Sequence, residues 1–213
     1  MSDTVLYDYW RSSASYRVRI ALNLAGIEYE IVSVDLLKKD HKSPEHLERN
    51  PQGLVPALWI DGQMLAQSLA IIEYLDETRS LGLLPKAPAE RAQVRAIAYA
   101  IAMDIHPICN LGVVAHVMEL TGKGDGARQD WMQKFIGEGL QAVEAMLQRT
   151  AGPLCFGAHP TLADICLMPQ FYNAQRWSVT TSSLTRTNAV VQALQAIPAF
   201  AAAHPDNHKP RQQ

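Results

Sequence analysis

Near residue 82 the periodicity of this chain changes, and that change restricts its architecture more than any other property. Before it, short β-branched and aromatic runs alternate with stretches of helical spacing; after it, only helical spacing remains. Val5 to Trp10 reads as a strand, RSSAS as a polar turn, and Tyr16 to Ala25 as a helix with Val18, Ala21, Leu22 and Ala25 on one face. Gly26 supplies a stop, and Tyr29 to Val34 reads as a second strand, completing a βαβ unit. A charged stretch around Lys38 to His41 and a short helical piece come next. NPQGLVPALWIDGQ then gives a Pro/Gly loop, a strand and an Asp61-Gly62 hairpin turn. Ser68 suits the N-cap of a helix whose Leu69, Ile72 and Leu75 point inward.

The stretch Ser80 to Ala89, with Gly82, Pro85 and Pro88, has linker composition. Beyond it the spacing predicts one long helix from about Glu90 to Leu120, kinked at Pro107, and a second from about Arg128 to Arg149. A third opens at Thr161, where TLAD has the form of a capping box, and one or two shorter helices lie between Leu184 and Ala203. The expected architecture is an α/β N-terminal domain over residues 1–81 and an all-α C-terminal domain over residues 89–213.

Bulk properties narrow the function. With Lys plus Arg at 19 and Asp plus Glu at 21, a net charge of −2 offers no footprint for nucleic acid or an anionic membrane. The longest apolar run, Ala96 to Met103, falls well short of the ~20 residues a spanning helix needs. The N-terminus lacks the basic region and apolar run of a signal peptide. Cys109, Cys155 and Cys166 are too few and too scattered for a disulfide framework, and no pair has metal-ligand spacing, so no metal is expected. A small molecule or another protein is the expected partner, and a reducing, cytoplasmic setting the expected location.

The RSSAS turn sets Ser12, Ser13 and Ser15 between a strand end and a helix start, where free N–H groups and the helix dipole favour an anion. The alternative is that Ser13 or Ser15 simply caps the helix. The stretch YWRSSASYRVRIALNLAGIEYE resembles the signature of zeta-class glutathione transferases, and NPQGLVPAL, QSLAIIEYLDE, TLADICLMPQ and NAQRW extend the resemblance over nearly the whole chain. It implies a thioredoxin-like domain followed by a helical domain, the glutathione transferase fold, and a homodimer. It also implies glutathione as cofactor and the cis–trans isomerisation of maleylacetoacetate in tyrosine and phenylalanine catabolism. Maleylpyruvate isomerisation or general glutathione transfer are the alternatives.

By the same resemblance, Ser12 donates a hydrogen bond to the glutathione sulfur, with Ser13 as second catalytic hydroxyl and Ala14 and Ser15 completing the turn. A hydroxyl donor near free N–H groups lowers a thiol pKa by stabilising the thiolate, so Ser12 acts electrostatically, not as a nucleophile. Ala14 departs from the family, which often has cysteine there. Val55 precedes an expected cis-proline and pairs with the peptide part of glutathione, while Gln67 and Ser68 hold the γ-glutamyl end. His41 falls where the family has a contact to the glycyl end, or is a solvated loop histidine. His106 and Asn110, four apart, share a helix face with contacts to cofactor or substrate, or His106 is structural. Arg176 matches an arginine that grips a substrate carboxylate, a surface ion pair being the alternative, and Arg11 is a second candidate.

Overall fold

The structure, a computed structural model, describes residues 3–210. The outermost ends of the two expected domains, residues 1–2 and 211–213, lie outside the described residues. Two compact units are present, one running through Gly82 and including the segment from Ile197 onward, the other Leu83–Ala196.

In the first unit β1 (Val5–Asp8), α1 (Ser13–Leu24), β2 (Glu30–Ser33), α2 (Pro44–Arg49), β3 (Ala57–Ile60), β4 (Gln63–Ala66) and α3 (Ser68–Arg79) follow in order. The sheet order is β2-β1-β3-β4, with β1 parallel to β2 and β3 antiparallel to both β1 and β4. This is a thioredoxin-like sheet. The β3–β4 hairpin turns at Asp61 and Gly62, both with positive φ (52° and 76°), as a two-residue hairpin of right-handed twist requires. Leu6, Leu58 and Ile60 form the core face of the sheet, and α1 and α3, packed together, bring Val18, Ile20, Leu22, Ile71, Ile72 and Leu75 to the core.

Two arginines of α1 depart from the expected helix face. Arg17 and Arg19 are 2% and 0% exposed. Arg19 is neutralised by Asp8, with hydrogen bonds of 2.9 and 2.7 Å to the two carboxylate oxygens, and donates also to the carbonyls of Trp10 and Ala203. Asn23 donates to the carbonyl of Ala199 at 3.0 Å. These bonds, and the contacts of α1 with α9 (Pro198–Ala202), explain a correction: the chain from Ile197 packs with the N-terminal unit, not with the helical one.

The second unit is helical: α4 (Pro88–Tyr99), α5 (Leu111–Thr121), α6 (Asp125–Leu147), α7 (Leu162–Arg176) and α8 (Thr185–Gln195). The long kinked helix expected over 90–120 is instead broken. α4 runs into a π-helical turn, Ala100–Ile105, and a separate α5 begins after Asn110. Pro107 has no N–H to continue the ladder, and Asn110 competes for the backbone as an N-cap. The capping box is as expected: Asp164 accepts from the N–H and hydroxyl of Thr161 at 2.8 and 2.6 Å, and also from the N–H of Cys155. All three cysteines are buried thiols outside any disulfide, and burial pushes the Cys109 thiol up to about 11. Among the described residues no helix is long and apolar enough to cross a membrane.

Candidate active site

Local chemistry puts a helix start behind the RSSAS turn. Ser12 is in extended conformation and is the N-cap of α1, its Oγ accepting from the N–H of Ser15 at 3.2 Å. The cap is therefore Ser12, not Ser13 or Ser15. Because the Ser12 oxygen accepts, its hydroxyl proton stays available to donate. The first turn of α1 carries no acidic residue, so nothing there repels an anion. Ser13, Ala14 and Ser15 are buried in that turn, and Ser12 is half-buried.

The loop before β3 is held from beneath. His46 Nε2 and Asn50 Nδ2 both lie on the Leu54 carbonyl, at 2.8 and 2.9 Å, and Lys42 Nζ donates to the carbonyls of Gln52 and Gly53. Gly53 has φ +59°, and a Cβ there would lie 2.7 Å from Lys42 Nζ and 2.9 Å from the His41 carbonyl. The loop ends in the Val55-Pro56 peptide bond, which is cis. Val55 lies just outside the ladder that begins at Ala57.

A second helix start follows β4. Gln67, not Ser68, occupies the N-cap of α3, with φ +69° and no capping hydrogen bond from its side chain. That positive φ is strained for a non-glycine residue, a cost of roughly 1–3 kcal/mol of the kind found where a site dictates the backbone. The Gln67 amide donates to Gln52 Oε1 at 2.6 Å, and Ser68 is the first helical residue, its Oγ accepting from Arg17 Nη1 at 3.3 Å.

Register decides how these pieces meet. Tyr7 faces Ala57, and Ala57 faces Ala66. The turn after β1 and the Gln67-Ser68 step after β4 therefore emerge at one end of the sheet, on either side of Val55. One extended strand end is flanked by two helix N-termini, each with a serine hydroxyl.

His41 lies in a short 3₁₀ turn, Asp40–Lys42. Partial burial and the charges of Lys42 and His46 lower its pKa, so it is a neutral imidazole at neutral pH. Arg11 is half-buried, donates to Tyr9 Oη at 3.1 Å and stacks 4.8 Å from the Trp10 ring centre. In the helical unit, His106 and Asn110 do not share a helix face. His106 closes the π-helical turn, while Asn110 caps α5 and accepts from the N–H of Gly112 at 3.0 Å, which leaves its amide N–H groups as donors. Arg176 is exposed in the last turn of α7, with Nη1 3.3 Å from Asn173 Oδ1. Arg17, inside the RVRIAL motif, was missed by the sequence reading, because a surface-seeking residue type gave no signal of burial.

Paired helix N-termini around a cis-proline edge suit a peptide-like thiol that carries carboxylates, and a thioredoxin-like unit of this kind followed by a helical unit defines a glutathione transferase. Residues 2–77 match the family of the glutathione S-transferase N-terminal domain. The chain is similar to maleylacetoacetate isomerase of Rhizobium meliloti, at 62% identity over 98% of this chain and 99% of the relative. It is also similar to that of Rattus norvegicus, at 47% over 94% and 92%. Among solved structures, a holo maleylpyruvate isomerase described as a bacterial zeta-class glutathione S-transferase aligns with TM-score 0.93 and 39% identity, covering 98% of this chain and 100% of that one. The chain belongs to the maleylacetoacetate isomerase family of zeta-class glutathione transferases.

Proposed function

We infer that the chain is a glutathione-dependent cis–trans isomerase that converts maleylacetoacetate to fumarylacetoacetate in aromatic amino-acid catabolism. One observation carries the reading: 62% identity, over nearly the full length of both chains, to a relative named maleylacetoacetate isomerase. A maleylacetoacetate isomerase from Methylobacterium extorquens, solved with malonate and glutathione bound, aligns with TM-score 0.92 and 38% identity over 98% of this chain and 99% of that one, which supports a glutathione and diacid site here.

Glutathione supplies a thiolate that adds to the cis double bond, permits rotation about the bond that has become single, and leaves as the trans double bond forms. Everything else falls to the chain. Ser12, its oxygen engaged by the Ser15 N–H, directs its proton at the sulfur and holds it anionic, with the N–H groups at the start of α1 in support. Ser13, Ala14 and Ser15 shape that turn. Val55 pairs through its backbone with the cysteinyl part, Gln67 and Ser68 hold the γ-glutamyl end, and neutral His41 contacts the glycyl end. In the helical unit, His106 and the Asn110 amide contact cofactor or substrate. Arg176, exposed at the end of α7, has the planar guanidinium suited to a bidentate grip on a substrate carboxylate, with Arg11 as second cation.

A homodimer in a reducing, cytoplasmic setting belongs to the same reading. Buried cysteines outside any disulfide support the setting, and exposed Met103, Leu111, Val113 and Leu120 supply apolar surface for a self-complementary contact. Light scattering should give twice the chain mass; a stable monomer at micromolar concentration overturns the dimer. Function itself is tested by following absorbance of maleylacetoacetate and maleylpyruvate with and without glutathione. Turnover of maleylacetoacetate only when glutathione is present is expected, faster turnover of maleylpyruvate would transfer the assignment to that substrate, and conjugation without isomerisation would overturn both.

A further inference from the structure

The polar interior of the first unit holds two arginines two residues apart, and they do different things. Arg19 is fully committed to the fold, with its guanidinium on Asp8 and on the carbonyls of Trp10 and Ala203. Arg17, equally buried, reaches from α1 to the first residue of α3 and donates to Ser68 Oγ.

We propose that Arg17 is a positioning residue for the glutathione site, fixing the Ser68 hydroxyl so that its proton is presented to the α-carboxylate of the γ-glutamyl group. This deepens the reading above, in which Ser68 receives that end of glutathione. A guanidinium has five N–H donors and no acceptor, and a hydroxyl has one donor and two lone pairs, so the direction of the bond is set by chemistry alone. Arg17 donates and Ser68 accepts. The Ser68 proton is then polarised by a neighbouring cation and free to turn outward.

Its surroundings favour a carboxylate as receiver. The first ladder bond of α3 is from the N–H of Ile71 to the carbonyl of Gln67, so the N–H groups of Ser68, Leu69 and Ala70 precede it. The Gln67 side chain does not cap them, and the first turn of α3 has no acidic residue. The Gln67 amide, drawn to Gln52, keeps the other side of the same step in place.

Calorimetry with two ligands tests this: glutathione, and 4-aminobutyryl-cysteinylglycine, which lacks only the α-carboxylate. The wild type should bind glutathione at least about tenfold more tightly, since a hydrogen bond to a charged group is lost with the analogue. Arg17→Met should weaken glutathione by about tenfold and the analogue by less than about twofold, while Arg17→Lys should recover part of the preference. In a Ser68→Ala background Arg17→Met should add little. Equal weakening of both ligands, an unchanged preference, or the full Arg17 effect without the Ser68 hydroxyl would overturn the proposal. Should Arg17→Met fail to fold by circular dichroism, Arg17→Lys decides, an unchanged ligand preference again refuting it. Wild-type protein that binds neither ligand would instead refute the glutathione reading on which the proposal stands.

Discussion

A single hydroxyl can both cap a helix and serve a reaction, because its oxygen and its proton are separate resources. At Ser12 the oxygen goes to the Ser15 N–H and the proton remains. Ser12→Ala should therefore lower turnover at neutral pH by about one to two decades, the equivalent of a charge-assisted hydrogen bond of roughly 1.5–3 kcal/mol. The glutathione Michaelis constant should change little, since the proposed anchors of the peptide, Val55, Gln67 and Ser68, are untouched. The rate profile should also move to higher pH, because a thiol without its donor ionises later. Steady-state rates across pH check both points, and near-wild-type turnover would move the role to Ser13. Sequence pattern marked the three serines of the turn and only the family resemblance singled out Ser12; the alternative of a cap at Ser13 or Ser15 lay one or three residues too late, and Ser68 was placed at a cap that Gln67 occupies. Both misplacements concern residues where extended and helical backbone meet, and propensity for a hydroxyl at such a junction does not say which of several serines takes it. Arg17 and Arg19 were illegible for a stronger reason. Their burial depends on Asp8 and on Ser68, partners 11 and 51 residues away in the chain, and no local pattern encodes a distant counterpart.

Elements show where local signals suffice. The βαβ unit, the Asp61-Gly62 hairpin and the Thr161 capping box were readable, because each is fixed by residues within one turn or one strand of each other, whereas on α3 Ile72 and Leu75 are buried as expected but Ile71 takes the core place expected of the half-buried Leu69. The break at 106–110 was not, since a proline in a helical pattern is compatible with a kink or a stop, and the choice fell to Asn110 and to the π-helical turn before it. At the site, the loop pinned by Lys42, His46 and Asn50 makes a prediction. Gly53→Ala would force a side chain against Lys42 and the His41 carbonyl at positive φ, so it should raise the glutathione Michaelis constant severalfold and lower the melting temperature, with kcat at saturation nearly kept. Kinetics with glutathione varied, alongside a thermal melt, would show it; unchanged affinity would mean that the loop does not present Val55. In the helical unit, Glu144 of α6 caps α8, accepting from the N–H groups of Arg186 and Thr187 at 2.9 and 2.8 Å and from the Thr187 hydroxyl at 2.7 Å. Burial alone would raise its pKa, but these donors outweigh burial and bring it below the ordinary value. The folded state thus binds this proton less readily than the unfolded chain. Its contribution is complete above the ordinary glutamate range and is lost as pH falls through the lowered folded value. Glu144→Gln should cost about 1–3 kcal/mol at neutral pH and flatten the fall in melting temperature on acidification from about pH 6 to 3. Parallel melting curves for variant and wild type across that range would contradict the capping role.

On the scale of the whole molecule, the proposed site residues are divided along the chain: Ser12, Val55, Gln67 and Ser68 lie in the first unit, and His106, Asn110 and Arg176 in the second. In the proposed reading the thioredoxin-like unit supplies thiol activation, which any glutathione transferase requires, so substrate selectivity has to be sought among the helices. Arg176 is where isomerase and general transferase part. If its guanidinium binds a carboxylate of the maleyl diacid, Arg176→Ala should raise the Michaelis constant for that substrate by roughly one to two decades, the loss of a charge-assisted, two-pronged contact. Arg176→Lys should recover only part, because an ammonium cannot present two parallel N–H groups to one carboxylate. An uncharged aryl halide has no carboxylate to lose. Its conjugation, where measurable, should be nearly unchanged by either substitution, and the melting temperature should move little because Arg176 is exposed in the last turn of α7. Kinetics on the charged and neutral substrates, run on the same preparations, separate the cases. Equal losses on both would assign Arg176 to the fold or to glutathione and shift carboxylate recognition to Arg11, whose guanidinium lies against Trp10 and Tyr9 beside the Ser12 turn.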